Sequence, residues 1–374
     1  MIKNEFVGYG SISNLERLLR IYHPKRVFLV TGRKSYNEHI SEYLSDVLSN
    51  FNFSRFCDFE TNPKLSDIER GIQMMNSREH DIVVCVGGGS VIDAAKTINV
   101  LAANKRSSKD YVSGKSKIQN KGKTLIAIPT TSGSGSEATS FSVVYMGKKK
   151  YSLEHKFIFP DYSIIDPVLT EKLPKDITAV SGMDALSQAI ESYWSVNSTN
   201  ESKKYAREAI KLIVRSLNGA VNHPNLENRL DMAKGAHLAG KAINISKTTA
   251  PHAISYAMTS HFGIPHGHAV ALTLGDVLVH NAGIAHDDYA DKRGSNYVKK
   301  TLNEICTFLD SKDESAAKRK INALMSSIGL KTRLSQFGIS TRAIRKIANK
   351  VNNQRLKNNP RLITKQDIIG FLNH

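Results

Sequence analysis

Four side chains in the second half of the chain have types and spacing that suit the binding of a divalent cation. Asp184 and Gln188 lie four residues apart in a segment with helical periodicity, so they share one face of the predicted helix. His252 lies at the start of a later helical segment, and His266 lies in the turn before the next one. A carboxylate and two imidazoles can hold a divalent metal, with Gln188 Oε1 or water as fourth ligand and one position open for a substrate. The alternative is that each histidine makes an ordinary hydrogen bond, because 13 histidines produce many coincidental trios.

Two glycine-rich loops in the first half suit the binding of a nucleotide. The first directly follows a buried strand, opens a helix and consists of Gly87, Gly88, Gly89 and Ser90. Glycines let the backbone approach an anion, and the free N–H groups of a first helical turn favour a phosphate. The second loop, residues 129–137, also follows a strand, and its Thr130 and Thr131 can hold a ribose, a pyrophosphate or a nicotinamide amide. The first loop lacks the G-x-G-x-x-G pattern, so a structural tight turn is its alternative, and the second would alone be an ordinary loop. Two such loops after neighbouring parallel strands favour a nucleotide site.

The end of the first long strand carries cations where NAD-binding folds place an acidic residue. Thr31 is followed by four residues that we assign to the coenzyme, namely Gly32, Arg33, Lys34 and Ser35. An acidic residue would bind the free 2′-hydroxyl of NAD, whereas cations and a serine better accommodate a 2′-phosphate. We therefore expect NADP(H) as the preferred coenzyme and NAD(H) as the alternative.

The elements that must position these residues change character part-way along the chain. Apolar, β-branched runs at 26–31, 81–86 and 123–128 predict buried strands, and the helical segments between them predict a parallel sheet covered on both faces. From about Pro167 onward, 3.6-residue periodicity dominates, in 179–194, 201–217, 230–243, 251–260 and 269–279. We therefore predict an α/β dinucleotide-binding domain at 1–166 and a helical metal- and substrate-binding domain at 167–374, closely packed with a cleft between them.

Composition and charge exclude several classes of protein. A chain of 374 residues, 40% hydrophobic and 23% charged, has ordinary globular usage. Three cysteines, an N-terminus without an apolar segment and the lack of a membrane-length apolar run predict a cytoplasmic protein with no membrane partner. The net charge of +18 raises binding of nucleic acid as a remote alternative. Because aromatics are sparse among the C-terminal cations, we expect a basic solvated surface and no nucleic-acid partner.

Four motifs in register resemble the iron-containing (group III) alcohol dehydrogenases over roughly residues 5–370. They are Gly87-Gly88-Gly89-Ser90-x-x-Asp93-x-x-Lys96, Pro129-Thr130-Thr131-x-Gly133-x-x-x-Glu137, Gly182-Met183-Asp184-Ala185-Leu186, and His252 followed by Pro265-His266-Gly267. The resemblance implies an α/β N-terminal dinucleotide-binding domain and an all-α C-terminal metal-binding domain, an architecture like that of dehydroquinate synthase. It also implies a divalent metal in the intervening cleft and NAD(P)-linked interconversion of alcohols and aldehydes.

The matching positions assign metal ligation to Asp184, His252 and His266, and coenzyme binding to both loops and Asp93. The family's usual fourth ligand is a histidine four residues after the aspartate, where this chain has Gln188, a neutral and weaker donor. Fe(II) is the first expectation by resemblance and Zn(II) the second. Four residues after His252, where family members often carry a histidine proposed to relay protons, this chain has Tyr256, interpreted either as a proton donor or as a packing residue.

Two further segments, 191–199 and 240–252, are similar to the phosphonoacetaldehyde reductases, a subgroup associated with phosphonate biosynthesis. Lys247 and Thr248 lie shortly before His252 and offer an ammonium and a hydroxyl to an anionic substrate group, with Lys241 as the second candidate cation. Solvated lysines are the alternative. We therefore expect reduction of a small anionic aldehyde, most specifically phosphonoacetaldehyde to 2-hydroxyethylphosphonate. Another short alcohol or diol as substrate, and a lyase of the dehydroquinate synthase type, are the alternatives, and a homodimer is compatible with these features.

Overall fold

The chain divides into two units, Met1–Leu173 and Pro174–His374. The structure is a computed structural model and describes residues 4–36, 38–147, 149–285, 288–351 and 353–373. Among these residues, no helix is both long and apolar enough to cross a lipid bilayer.

Strands alternate with helices in the first unit. The strands are β1 (Asn4–Val7), β2 (Val27–Thr31), β3 (Phe53–Phe56), β4 (Ile82–Gly87), β5 (Thr124–Pro129), β6 (Phe141–Met146), β7 (Lys149–Glu154) and β8 (Tyr162–Ile165). The helices are α1 (Asn14–Tyr22), α2 (Glu38–Ser49), α3 (Leu65–Asn76), α4 (Gly89–Ala102) and α5 (Ser108–Val112). Six strands form a parallel sheet in the order β1-β8-β5-β4-β2-β3. The α/β prediction for this half is confirmed.

Helices cover both faces of this sheet, which explains why its central strands are continuous apolar runs. Along β2, Phe28 and Val30 join a buried cluster that contains side chains of α3 and α4. The alternating residues Val27 and Leu29 join a second cluster with side chains of α1 and α2. Both faces of the strand are therefore buried, as the sequence of β2 predicts.

An antiparallel hairpin interrupts the alternation of strands and helices. It pairs β6 with β7, and strand–helix alternation alone does not predict it. Along β6, Ser142 and Val144 are buried while their neighbours are partly exposed. Val144 joins the same cluster as the apolar side chains of α4. The hairpin therefore packs on the helix that follows the first glycine-rich loop.

Residues 167–173, which the sequence assigns to the second domain, belong to the first unit. Pro167–Thr170 is a 3-10 helix whose N-cap residue Asp166 accepts the Val168 N–H at 3.1 Å. The other carboxylate oxygen of Asp166 accepts the Ile12 N–H at 2.9 Å, and His39 Nε2 lies 3.0 Å from the Val168 carbonyl oxygen. These bonds tie the segment to the first unit.

The second unit is helical, as the periodicity of its sequence predicts. Its helices are α6 (Lys175–Trp194), α7 (Asn200–Asn222), α8 (Leu226–Ser246), α9 (Ala250–Phe262), α10 (His266–Ala282), α11 (Ser295–Phe308), α12 (Glu314–Ser327), α13 (Thr341–Ala348), α14 (Asn353–Leu356) and α15 (Lys365–Asn373). The described part of this unit contains no strand beyond an isolated bridge between Tyr289 and Arg361. One large apolar cluster, including Trp194, joins most of these helices.

Candidate active site

The two glycine-rich loops lie against each other at the carboxyl ends of β4 and β5. The Thr130 N–H donates to the Gly87 carbonyl at 3.1 Å. A Cβ added at Gly89 would lie 2.4 Å from Ser134 Oγ, so the absence of a side chain at Gly89 leaves room for the Ser134 side chain of the second loop. The Ser90 hydroxyl accepts the Asn62 N–H at 3.2 Å, which anchors the first loop to the segment before α3. The N–H groups in the first turn of α4 have no acceptor within the helix, so they can donate to a phosphate bound at this loop.

Asp93 and Lys96, two members of the first motif, bind the end of the second loop and the start of β6. Asp93 Oδ2 accepts the Val143 N–H at 3.0 Å, and burial raises the pKa of its carboxyl. Lys96 is fully buried and donates to the carbonyl oxygens of Ser136 and Phe141 at 2.8 and 2.6 Å. Asp93, assigned to the coenzyme by resemblance, therefore also supports the fold through the hairpin backbone.

A cluster of cations stands at the carboxyl end of β2, where a coenzyme ribose is expected. Gly32 is half-buried and Arg33, Lys34 and Ser35 are exposed. Arg33 Nη2 lies 2.5 Å from Asp58 Oδ1, so this cation already has an anionic partner. Arg55, on β3, donates to Thr31 Oγ1 at 2.8 Å and stacks over the Tyr36 ring. Sequence reasoning missed Arg55 because its place beside β2 depends on strand register.

One face of α6 carries three buried polar side chains. Asp184, Gln188 and Glu191 follow each other at intervals of four and three residues, which places them on the same side of the helix. All three are buried, and Glu191 has no exposed surface. Gln188 Nε2 donates to Asp184 Oδ2 at 3.3 Å.

Two histidines meet this face from the first turns of α9 and α10. His252 follows Ala250 and Pro251, where a proline at the first turn favours helix initiation. His266 opens α10 directly after Pro265. A Cβ added at Gly267 would lie 2.1 Å from the Val180 carbonyl oxygen, so the start of α10 can approach α6 this closely because residue 267 is glycine.

Asp184, His252 and His266 converge on one point. Asp184 Oδ1 lies 3.4 Å from His252 Nε2 and 4.0 Å from His266 Nε2. One ligand atom from each residue lies within 4.8 Å of the other two. Donors about 2.0–2.1 Å from a tetrahedral ion are about 3.3 Å apart, so this spacing suits ligands of a single cation.

Gln188 supplies a test of whether these residues fit a metal. Its Oε1 is buried and has no hydrogen-bond partner among the described residues, which is costly for a polar atom without water. Coordination of a metal ion by Gln188 Oε1 would remove that cost. Two oxygen and two imidazole donors form a set that first-row divalent metals accept. The residues therefore fit a divalent metal.

Glu191 is the residue at this centre that sequence reasoning missed. Glu191 Oε1 lies 2.5 Å from His252 Nδ1, and because an ionised carboxylate can only accept, Nδ1 carries the hydrogen and Nε2 faces Asp184. Burial lowers the pKa of His252, but Glu191 and Asp184 outweigh it and raise the pKa to about 10. The two carboxylates therefore favour a positive charge here, whether a proton or a metal. The signal that could have identified Glu191 was its spacing, which places it on the same face of the helix as Asp184 and Gln188.

Tyr256 stands beside the converging ligands. Its ring is stacked on the His266 imidazole, with centroids 5.9 Å apart and planes at 18°. Ser255 Oγ, from the same turn of α9, lies 3.4 Å from His266 Nδ1. The phenol is half-buried, so it combines closeness to the His266 imidazole with access to solvent.

The three candidate substrate residues lie in two different environments. Lys247, which caps α8, has φ 63° and ψ 169°, a region that non-glycine residues rarely adopt, and its Nζ donates to the Asn244 carbonyl at 3.2 Å. Thr248 is buried, and its carbonyl accepts from Asn358 Nδ2 at 2.9 Å. Lys241 Nζ instead lies 4.7 Å from the Tyr205 ring centroid, in the contact between α8 and α7.

Comparison with known proteins gives the family of the chain. Residues 3–167 match the model of iron-containing alcohol dehydrogenases, and residues 178–374 match the C-terminal model of the same family. The long-chain-alcohol dehydrogenase 1 of Geobacillus thermodenitrificans is 31% identical over 344 residues, which cover 90% of this chain and 86% of the relative. The chain belongs to the iron-containing alcohol dehydrogenase family. The predicted membership is thus confirmed, and the chain is a nicotinamide-dependent oxidoreductase that interconverts alcohols and aldehydes.

Members of the iron-containing alcohol dehydrogenase family similar to this chain differ in the substrates that their names state. The phosphonoacetaldehyde reductase of Streptomyces viridochromogenes is 32% identical over 297 residues, 77% of this chain and 74% of the relative. The sulfoacetaldehyde reductase of Bifidobacterium kashiwanohense, solved with NAD⁺, is 30% identical with a TM-score of 0.87, and the match covers 99% of this chain and 96% of that one. Family membership therefore establishes the type of reaction and leaves the substrate to the chemistry of the site.

Proposed function

We propose that this chain reduces a small aldehyde with an anionic group, with phosphonoacetaldehyde as first candidate and 2-hydroxyethylphosphonate as product. The observation that carries this proposal is Lys247, a cation in a strained backbone conformation five residues before His252. Such strain costs about 1–3 kcal/mol and tends to persist where the position of a side chain matters. The ammonium has three donors, so it can bind the Asn244 carbonyl and an anion together.

The chemistry of two relatives supports an anionic substrate. Their names state aldehydes that carry a phosphonate or a sulfonate, whereas the long-chain alcohol named for the Geobacillus relative has an apolar tail. A cation 4 Å from an anionic group gains about 4 kcal/mol at an effective dielectric constant of about 20. This gain allows up to about three orders of magnitude of discrimination against neutral aldehydes.

We propose Asp184, Gln188, His252 and His266 as the residues that hold the divalent metal, with Fe(II) first and Zn(II) second. When bound, the metal supplies Lewis-acid polarisation of the aldehyde oxygen and NAD(P)H supplies the hydride. The chain supplies the position of both partners: the first unit, Met1–Leu173, binds the dinucleotide, and the second unit, Pro174–His374, binds metal and substrate. The cytoplasmic location predicted from the sequence stays a prediction.

Tyr256 is the proposed proton donor. Its stacking on His266 holds the phenol beside the ligands, and its partial exposure allows the proton to be replaced from solvent. Reduction adds one hydride to the carbonyl carbon and one proton to the oxygen, and Tyr256 Oη provides that proton. Lys247 holds the anionic group during the transfer.

We propose NADP(H) as the preferred coenzyme. The cations at the end of β2 and Arg55 on the adjacent strand suit a 2′-phosphate. Arg33→Ala should raise the KM for NADPH several-fold and leave the KM for NADH unchanged. Arg20→Ala is the control, because Arg20 is also exposed and likewise pairs with a carboxylate, that of Glu16 at 2.6 Å on α1. Equal changes for both coenzymes would contradict the assignment.

A substrate panel tests the proposed function directly. Purified enzyme with its bound metal determined by elemental analysis is assayed with phosphonoacetaldehyde, sulfoacetaldehyde, butanal and, for oxidation, glycerol, each with both coenzymes. We expect kcat/KM for phosphonoacetaldehyde to exceed that for butanal by at least about 100-fold. A higher kcat/KM for butanal would refute the anionic-substrate proposal, and sulfoacetaldehyde as the better substrate would replace phosphonoacetaldehyde within it.

A further inference from the structure

We infer that Glu191 is a positioning residue that couples the substrate-binding loop to the metal ligand His252. The loop consists of residues 246–249 and is called the 246–249 loop below. The inference rests on the proposed function, in which His252 binds metal and Lys247 binds the anionic group.

The geometry of one carboxylate carries the inference. Glu191 Oε1 accepts from His252 Nδ1, and Oε2 accepts the Thr249 N–H at 2.6 Å and the Thr249 hydroxyl at 2.9 Å. Glu191 is fully buried, so water does not compete for either oxygen. A single buried anion therefore fixes both the imidazole of His252 and the end of the 246–249 loop.

Other residues at the end of α6 fix the same loop. The Ser195 hydroxyl donates to the Ser246 carbonyl at 2.8 Å, and the Ser246 hydroxyl donates to Ser192 Oγ at 2.7 Å. Trp194 Nε1 donates to Thr249 Oγ1 at 2.8 Å. Both ends of the loop are thus attached to α6, and Lys247 lies between these attachments. Such attachment on both sides is what a strained residue requires to keep its conformation.

Two functions consequently depend on one side chain. A carboxylate that accepts from a ligand histidine sets the orientation of the ring and raises its basicity, and loss of such a partner usually lowers metal affinity 10- to 100-fold. A neutral amide at residue 191 would also place an NH₂ group against one of three donors. Because His252 and Thr249 are bound by the two oxygens of one carboxylate, a shift of this side chain disturbs both residues, so we expect metal affinity and anion recognition to fall together.

The experiment compares Glu191→Gln with His252→Ala and Glu304→Gln. Glu304 is a matched control, because its carboxylate also accepts from an α6 side chain, the Tyr193 hydroxyl at 2.7 Å. Metal-free proteins are titrated with Zn²⁺ against a chromophoric chelator, and KM is measured for phosphonoacetaldehyde and butanal after metal loading. We expect Glu191→Gln to lower Zn²⁺ affinity 10- to 100-fold and to raise the KM for phosphonoacetaldehyde more than that for butanal, with neither change in Glu304→Gln.

The outcomes separate this inference from the proposed function. Unchanged Zn²⁺ affinity in Glu191→Gln, with the affinity lost in His252→Ala, would overturn the inference and leave the metal site standing. Unchanged affinity in His252→Ala would overturn the proposed site itself. A purely structural role for Glu191 would lower the urea midpoint of the metal-free protein at constant Zn²⁺ affinity, which also overturns the inference.

A second pair of variants covers the case in which Glu191→Gln does not fold. Thr249→Val removes the hydroxyl bonds to Glu191 and Trp194 and keeps the backbone N–H bond to Glu191, whereas Thr249→Ser keeps all three. We expect Thr249→Val to raise the KM for phosphonoacetaldehyde several-fold and Thr249→Ser to restore it. Equal KM values in the two variants would overturn the coupling of the loop to Glu191.

Discussion

Lys247 has a strained backbone conformation and is the cation proposed to bind the anionic group of the substrate. Two substitutions separate the effect of the strain from that of the charge. Lys247→Gln removes the charge and retains a Cβ, so the strain at φ 63° and ψ 169° remains. Lys247→Gly removes the charge and the strain together, because glycine adopts positive φ readily. Both variants lose the Nζ bond to the Asn244 carbonyl, so this loss cancels when they are compared.

The expected difference in stability follows from two opposing effects. Relief of the strain stabilises Lys247→Gly by about 1–3 kcal/mol, and the greater chain entropy of unfolded glycine removes about 0.5–1 kcal/mol of this gain. We therefore expect the free energy of unfolding of Lys247→Gly to be about 1 kcal/mol higher than that of Lys247→Gln. Both variants should lose most of the preference for phosphonoacetaldehyde over butanal, because both lack the ammonium.

The protein contains a suitable probe for this measurement. Its single tryptophan, Trp194, is buried and donates to Thr249 Oγ1, two residues from Lys247. Urea unfolding followed by Trp194 fluorescence therefore reports the second unit, and the midpoints give free energies through the slope of the transition. Lys211→Gln is the control, because Lys211 is an exposed cation within the regular helix α7.

Two results would refute this reasoning. If Lys247→Gly were less stable than Lys247→Gln by about 1 kcal/mol, the glycine penalty alone would explain the data and the strain would be absent. If both variants kept the wild-type preference in kcat/KM, Lys247 would not be the residue that recognises the anion.

Three further predictions concern other parts of the chain. Gln188→His should raise Zn²⁺ affinity about tenfold or more in chelator competition, because imidazole is a better ligand than an amide; equal or weaker affinity would remove residue 188 from the ligand set. Gly267→Ala should lower both metal affinity and the urea midpoint, because the added Cβ would lie 2.1 Å from the Val180 carbonyl oxygen and 2.8 Å from Asp184 Cβ; a wild-type midpoint would contradict the close approach. Burial lowers the pKa of Lys96 from 10.5 to about 8 against the opposing carboxylates of Asp93 and Glu137 and the Cys85 thiol. Between pH 8 and 10.5 residue 96 is therefore protonated in the unfolded chain and largely neutral in the folded one. The free energy of unfolding should rise by up to about 3 kcal/mol over this range. Urea unfolding followed by circular dichroism should show this slope in the wild type and not in Lys96→Met, and equal slopes would contradict the shift.

The sequence predicts the elements of this fold better than its local detail. Buried parallel strands are continuous apolar runs, so β2, β4 and β5 are evident from residue types. The hairpin of β6 and β7 is not, because both strands are partly exposed and β7 begins with two lysines. The 3-10 helix after Asp166 likewise depends on bonds to distant residues, which local periodicity does not contain.

The same distinction holds for the candidate site. Asp184, His252 and His266 can be proposed from residue type and motif spacing, and the structure places their ligand atoms close together. Glu191 was missed because a glutamate in a helix is usually exposed, and its burial is decided by packing against the loop before α9. The positive φ of Lys247 cannot be inferred from residue type, since lysine rarely adopts it.

The central claim is that Asp184, His252 and His266 hold one catalytic metal ion. Elemental analysis of purified wild-type protein and His266→Ala, with NADPH affinity measured on the same samples, tests this claim most directly. The account predicts a single divalent ion per wild-type chain, and loss of that ion from His266→Ala with NADPH affinity retained. A full metal complement in His266→Ala, or loss of NADPH binding with the metal retained, would contradict it.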